Sequence, residues 1–317
     1  RSSDLDNENL FKSFTKYSNI KIITFNNNML NKVIRKVTSK IFNRPLDIEL
    51  LIRTFQYKIE FLYPINTYPY LGLKDKCIYW IPDFQHIHLP EMFSKDEIKN
   101  RDRLFEYIAK NHKKLILSSY DAFNDYKSLY LEYTEGVDII QFQSDIEDEE
   151  SSLNHDLFEK VKNKYNLPDK YIFLPNQFWK HKNHIVAFKA MDLLKNRKRK
   201  DICLVCTGNS NDYRNKKHFD YLMNYIDKNN LHANIKILGF ISRIDQLALM
   251  KNSIFVLQPS LFEGWGTVVE DAKALDKIIV MSDIKVHYEQ KNTKCIIFAK
   301  DNCDELADII DKVINPK

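Results

Sequence analysis

The chain has 317 residues, a length that suits two domains with a core each. Residues of the AVILMFWYC set make up 44%, charged residues 29% and aromatics 13%, which excludes a disordered or low-complexity polypeptide. Forty-eight Lys and Arg against 43 Asp and Glu leave +5, a bias that suits a phosphate-bearing ligand or an anionic surface without marking a nucleic-acid binder.

Asp4-Leu-Asp6 lies in a polar stretch with no strand before it, so its acids read as solvated. Ile20-Lys-Ile-Ile-Thr-Phe25 is the first strand-like run. The segment from Met29 to Arg44 carries Lys32, Arg35, Lys36, Lys40 and Arg44 without an acid, and Leu30, Val33, Ile34, Val37 and Ile41 recur at helical spacing. A basic amphipathic helix of this kind either lies on an anionic lipid surface or packs on the first domain with a solvated basic face. Strands are expected at Ile59-Glu-Phe-Leu-Tyr63, Lys76-Cys-Ile-Tyr-Trp-Ile81, Lys114-Leu-Ile-Leu-Ser-Ser119 and Val137-Asp-Ile-Ile-Gln-Phe142. A long helix is expected over residues 94–113, where Ser94 and Glu97 have capping-box spacing. No apolar run approaches the roughly 18 residues of a membrane span, and no signal-peptide core opens the chain. The five cysteines are scattered and odd in number, so a reducing, cytoplasmic setting is expected.

The acidic run Ser144-Asp-Ile-Glu-Asp-Glu-Glu-Ser-Ser-Leu-Asn154 reads as a solvated linker, placing a first domain over 1–144, a linker over 145–168 and a second domain over 169–317. The second half alternates apolar runs with helical patterns, as a doubly wound parallel sheet does. The runs begin at Tyr171, Asp201, Asn234, Ser253, Lys277 and Lys294. Ala187, Ala190, Met191 and Leu194 share one helix face with Asn183 as its expected N-cap, and residues 304–314 form a closing helix.

In an open α/β sheet the ligand lies beyond the carboxyl ends of the strands. Four of the six glycines (208, 239, 264 and 266) fall in the loops expected there. Glycine permits close backbone approach, and such loops lead into helix N-termini whose free N–H groups attract phosphate.

Ser260-Leu-Phe-Glu-Gly-Trp-Gly-Thr-Val-Val-Glu-Asp-Ala-Lys-Ala-Leu275, followed by Ser282-Asp-Ile-Lys-Val-His-Tyr-Glu-Gln290, resembles the donor-site signature of retaining glycosyltransferases of family 4, which have the GT-B fold. Gln177-Phe-Trp-Lys-His-Lys-Asn-His184 and Gly239-Phe-Ile-Ser242 are similar to that family in order and spacing. Trp80-Ile-Pro-Asp-Phe-Gln-His-Ile-His-Leu-Pro-Glu91 resembles its loop that faces the donor from the opposite domain. The resemblance implies an α/β chain of two Rossmann-like domains facing each other across a cleft. It further implies a UDP- or GDP-sugar donor, a glycan or lipid-linked acceptor, retention of configuration, and no required metal or cofactor. Relatives of this kind serve polysaccharide biosynthesis in the cytoplasm, some as peripheral proteins at the inner face of a membrane.

The family's two acids, separated by seven positions, fall on Glu263 and Asp271. The resemblance puts the first near the transferred sugar and the second on the ribose, where a carboxylate accepts from two vicinal hydroxyls. Asp271 stands where the family usually has Glu, so either Asp271 or Glu270 would bind ribose; acids in a first helical turn also simply favour the dipole. Lys182 matches the family's diphosphate-binding Lys, and Gln177 replaces its companion Arg. Gln brings no charge, so Lys182 and the backbone N–H groups of Gly266 and Thr267 would carry more of the contact. Gly208, Phe240, Ile241 and Val268 complete the implied donor set. The resemblance suggests that Asp83 or His86 touches the donor sugar, with His88 the weaker choice; Pro82 stands where the family has its own His. The implied catalytic set is Glu263, Lys182, His86 and Asp83, with no dedicated base.

Metal-like patterns do not hold up. Cys203 and Cys206 are three apart in a strand and point to opposite faces, and His181 and His184 have no third ligand nearby. The family normally opens with a strand, a Gly-rich turn and a helix. Asn7 to Ser18 reads as the end of that helix, so the opening strand is expected to be missing. A non-catalytic nucleotide-sugar-binding or scaffold protein with a truncated acceptor domain is therefore the alternative.

Overall fold

A computed structural model describes residues 18–22, 29–42, 44–199 and 202–315. The expectations placed on residues 4–6, 7–17 and 23–25 lie outside the described residues, and residues 20–22 have no regular structure. The chain divides into two compact units. One comprises Arg1–Ile81, Arg103–Ile116 and Tyr133–Asp138; the other comprises Pro82–Asp102, Leu117–Glu132 and Ile139–Lys317. Segments 82–102, 117–132 and 139–144, expected with the first domain, thus group with the second unit.

The chain opens its described helices with α1 (Met29–Phe42) and α2 (Ile48–Gln56), the latter capped by Asp47, whose carboxylate accepts from Leu50 N. The inward residues of α1 are mostly polar. Buried Asn31 donates to Asp47 Oδ1 at 2.9 Å, and Arg35 lies 3.4 Å from Asp47 Oδ2 and donates to the Tyr70 hydroxyl at 3.2 Å. Strands β1 (Leu62–Ile65) and β2 (Cys77–Ile81) pair in parallel. The short helix α3 (Gln85–His88) and the long α4 (Lys95–Asn111) follow. Ser94 Oγ and the Glu97 carboxylate form the expected capping box at the start of α4. Strand β3 (Leu115–Leu117), helix α5 (Tyr120–Leu129) and strand β4 (Val137–Ile139) complete a four-stranded sheet of order β1-β2-β3-β4.

The acidic stretch expected to be a solvated linker holds two helices, α6 (Glu147–Glu150) and α7 (His155–Lys164). Its apolar residues Ile146, Leu153, Val161 and Leu167 are buried in the second unit's core, so the charges line the outer face of a packed element. Then come β5 (Ile172–Pro175), α8 (His184–Asn196), β6 (Leu204–Thr207), α9 (His218–Lys228), β7 (Ile235–Ile237), α10 (Arg243–Asn252), β8 (Val256–Gln258), α11 (Thr267–Ala274), β9 (Ile279–Ser282), α12 (Lys285–Gln290), β10 (Cys295–Phe298) and α13 (Cys303–Ile314). The six strands form one parallel sheet in the order β10-β9-β8-β5-β6-β7.

Because side chains alternate along a strand, this sheet feeds two cores. Ile172, Leu174, Leu204 and Cys206 face one core, with α8 and α13; Tyr171, Phe173, Cys203 and Val205 face the other, with α7 and α10. Cys203 and Cys206 therefore lie on opposite faces. Asn183 does not cap α8 with its side chain. It adopts φ 55°, and its amide donates to Pro259 O at 3.1 Å and to Lys300 O at 2.9 Å, tying the turn before α8 to two other loops.

Two predictions follow from this packing. Leu153→Ala should destabilise the chain by about 2–4 kcal/mol, the usual result of emptying a packed site, as read by urea unfolding. A solvated linker would show no change. The second concerns His184, stacked on Phe178 with ring centroids 4.5 Å apart, and His287, whose Nδ1 lies 2.8 Å from Ser282 O. Burial, with the neighbouring His218 adding to it, lowers the first from 6.5 to about 3, and burial lowers the second to about 4. Both stay neutral when folded, so the unfolded chain takes up protons first. Their contribution is complete above pH 6.5 and is lost as pH falls from 6.5 through about 4 for His287 and about 3 for His184. The unfolding midpoint should drop over that window, and His184→Phe should flatten the slope; an unchanged slope would remove His184 from this account.

Candidate functional site

Chain order reverses between β5 and β8, which are neighbours in the sheet while their successors run to opposite edges. The loops leaving the carboxyl ends of these two strands diverge, and a crevice opens between them. A cavity of about 720 Å³ occupies this place in the second unit. Residues 175–177 at the end of β5, 207–209 at the end of β6, 240 and 241 after β7, and 263 and 265–268 after β8 line it, with residues 142–145 on another side. Gly208 (φ 142°) makes the close approach possible, since a Cβ there would lie 2.2 Å from Asn176 O.

Lys182 ends a short turn, residues 180–182, after β5, and Glu263 follows β8. Lys182 Nζ bonds both carboxylate oxygens of Glu263, at 2.7 and 2.9 Å. Glu263 Oε1 also accepts from Gln258 Nε2 at 2.8 Å and Ser260 Oγ at 2.6 Å. Burial raises the Glu263 pKa, but the adjoining Lys182 ammonium outweighs it and holds the carboxyl down at about 2. His181, next to Lys182, is kept neutral by burial and by that same ammonium, its pKa lowered to about 3. The cavity wall thus carries a buried, ionised Glu263 paired with a half-buried Lys182.

Asp271, in α11, lies on the cavity and is 7% exposed at its side chain. Arg243, in the first turn of α10, grips it through both guanidinium nitrogens, with Nη2 to Oδ1 at 2.7 Å, and Ser144 Oγ donates to the same carboxylate. Glu270 does not line the cavity. It is buried, accepting from Gln290 Nε2 at 2.8 Å and Lys273 Nζ at 3.1 Å. Of the two adjacent acids, only Asp271 is placed to meet a ligand. Gly266 N donates to Gln290 Oε1 at 3.2 Å, so that N–H is already engaged. Thr267 and Val268 remain as the helix-start residues on the cavity, where N–H groups have no carbonyl one turn earlier.

Gln177, Gly208, Phe240 and Ile241 line the same cavity. His86 and Asp83 do not. His86 is 2% exposed, with Nε2 3.1 Å from Asp102 Oδ1; burial and the nearby Arg101 lower its pKa. Asp83 accepts from Arg101 Nη2 at 2.7 Å and from Gln85 N at 3.0 Å. Their segment supports the site through backbone contact instead. A Cβ on Gly264 would lie 2.4 Å from Pro82 O, so the loop carrying Glu263 rests directly on it. His88, with Nε2 2.7 Å from Asp125 Oδ2, stacks on Phe262 at 5.2 Å. No group of three His, Cys, Asp or Glu side chains among the described residues is arranged to hold a metal.

Arg243 escaped the sequence reading, although a signal existed. A cation in the first turn of a helix opposes the dipole and needs a local carboxylate, which Asp271 provides. Ser144 and Trp265 were missed as well; Trp265 Nε1 donates to Phe142 O at 2.9 Å, closing one edge of the cavity.

Comparison with known proteins places this geometry. The profile of the family described as Glycosyl transferases group 1 matches residues 157–317. No curated protein matches the sequence significantly. Among solved structures, a glycosyltransferase from Rickettsia africae ESF-5 is similar at TM-score 0.62 and 17% identity, over 99% of this chain and 78% of that one. Anabaena Alr3699/HepE, solved with UDP and glucose, is similar at TM-score 0.63 and 16% identity, over 96% and 80%. WaaG, a glycosyltransferase involved in lipopolysaccharide biosynthesis, is similar at TM-score 0.64 and 12% identity, over 93% and 77%. The likeness establishes two parallel-sheet units of the GT-B fold. With the family profile covering the unit that holds the cavity, the chain belongs to the glycosyl transferases group 1 family.

Proposed function

We propose that this glycosyltransferase is a retaining enzyme of family 4 that moves a sugar from a UDP- or GDP-sugar to a glycan or lipid-linked acceptor. The observation that carries the reading is the Lys182–Glu263 pair on a switch-point cavity, with Asp271 and the start of α11 on the same wall. In this reading Asp271 holds the ribose, and the nucleotide base lies along Phe240 and Ile241. The diphosphate meets Lys182, Gln177 and the N–H groups of Thr267 and Val268. Negative charge grows on the diphosphate as its bond to the anomeric carbon breaks, and these donors are strongest where water is excluded. Glu263, held ionised, stands near the developing positive charge on the sugar. The acceptor oxygen bonds to the anomeric carbon from the face the diphosphate leaves, and its proton passes to a diphosphate oxygen. No metal or further cofactor is assigned a step.

Release of nucleotide from a panel of UDP- and GDP-sugars tests the activity; binding without turnover would favour a non-catalytic sugar-nucleotide binder. Lys182→Ala should weaken nucleoside diphosphate binding by about 1.5–3 kcal/mol, the value of a charge-assisted hydrogen bond, and leave nucleoside binding nearly unchanged. Equal losses by calorimetry would assign Lys182 to the fold instead.

We further propose that α1 rests on an anionic membrane surface. Asn31 and Arg35 face inward, while Met29, Leu30, Val33, Val37 and Ile41 are exposed along the outer side, Met29 at 82%. Lys32, Lys36 and Lys40 are exposed beside them. No helix among the described residues is long and apolar enough to cross a membrane. Each basic residue near anionic lipid adds up to ~1 kcal/mol, weakened by salt. Replacing Lys32, Lys36 and Lys40 by Gln should release the protein from anionic vesicles at low salt without altering nucleotide affinity. Absence of co-sedimentation by the unsubstituted protein would leave this helix as a solvated face.

A further inference from the structure

Beside the cavity, in the same unit, lies a buried cation that the reading above does not use. Arg214 is 8% exposed at its side chain and follows Asp212, which is 3% exposed. Its guanidinium lies over three aromatic rings, 5.0 Å from the centroid of Phe93, 5.1 Å from Trp179 and 5.6 Å from Tyr213. Nη1 donates to Gln85 Oε1 at 3.2 Å, and Nη2 approaches His181 Nδ1 at 3.4 Å. Asp212 completes the arrangement, 3.8 Å from Arg214 Nε, with Oδ1 accepting from Arg214 N at 3.0 Å and Oδ2 from Lys180 N at 3.3 Å.

These contacts converge on one short piece of chain. Trp179, Lys180 and His181 are the three residues before Lys182, and Trp179 and Lys182 both line the cavity. Lys182 N donates to Trp179 O at 2.9 Å, and His181 O accepts from Leu261 N at 2.8 Å, two residues before Glu263. Whatever fixes Trp179 and His181 therefore fixes the backbone from which Lys182 reaches. Arg214 itself does not line the cavity.

We propose that Arg214 is a positioning residue for phosphate binding: by clamping Trp179 and His181 it fixes the 179–182 turn so that Lys182 meets the diphosphate. The role rests on the donor reading of the cavity. A planar guanidinium stacks on rings and donates in two directions at once, which a lysine ammonium cannot do. Donation from Nη2 requires His181 Nδ1 to be unprotonated, which puts the neutral ring's proton on Nε2. Burial and the Lys182 charge, which keep His181 neutral, agree with this.

The test has two arms. Nitrogen-15 NMR of the histidine side chains in the full chain reports the His181 tautomer without any ligand. It should be the Nε2–H form in the unsubstituted protein and should lose that bias in Arg214→Met and Arg214→Lys. Calorimetry with UDP, GDP and the corresponding nucleosides reports the consequence. Both variants should lose about tenfold in diphosphate affinity with nucleoside affinity unchanged. An unchanged tautomer, unchanged diphosphate affinity, full rescue by lysine, or equal loss for nucleoside and diphosphate would each overturn the role of Arg214. Failure of the unsubstituted protein to bind either diphosphate would instead withdraw the donor reading, and this role with it.

Discussion

The ion pair between Lys182 and Glu263 is the interaction on which the site depends. Burying two charges costs several kcal/mol apiece unless geometry and further hydrogen bonds offset it. Here both carboxylate oxygens receive the ammonium, and Gln258 and Ser260 supply two more donors. The pair joins the loop after β5 to the loop after β8, which are the two loops that diverge at the reversal of strand order. It therefore holds the crevice walls in register and keeps Glu263 charged. In the proposed reaction, an incoming diphosphate competes for the same ammonium, so donor binding and the environment of Glu263 are linked through one proton-rich group.

The other end of the cavity is organised around Asp271. Replacement of the resembled family's Glu by Asp shortens the side chain by one methylene. The carboxylate lies within reach of Arg243 and Ser144, and the bidentate guanidinium holds its plane. Asp271 therefore presents a fixed acceptor, whereas Glu270, one residue earlier on the same helix, points into the packing around Gln290 and Lys273. A rotation of about 100° per residue separates a ligand-facing acid from a structural one.

Much of this was legible in sequence because it is periodic or local. Apolar runs marked the strands of the six-stranded sheet, although their observed starts moved by up to three residues, as from Asp201 to Leu204 and from Ser253 to Val256. The capping box at Ser94 and Glu97 formed as its spacing required. Spacing also separated Cys203 from Cys206 across the sheet. The stretch 145–168 was misread because its acidic composition hid a few apolar residues at helical intervals, and only a neighbouring core decides whether such residues are buried. Asn183 has the composition of a cap, yet it serves as a strut, since two carbonyls from distant loops approach its amide.

The sequence by itself determined the alternation of strand and helix and the glycine-bearing loops at one rim, because each depends on residue type and short spacing, and its resemblance to a glycosyltransferase signature supplied the candidates Glu263, Lys182 and Asp271. Tertiary structure decided which of them meet. It joined Lys182 to Glu263 across 81 positions and Arg243 to Asp271 across 28, and it turned Glu270 and His86 away from the cavity. It also buried Arg214 among rings drawn from three segments. The physical reason is that charge pairing and burial are set by distance in space, which local periodicity does not encode.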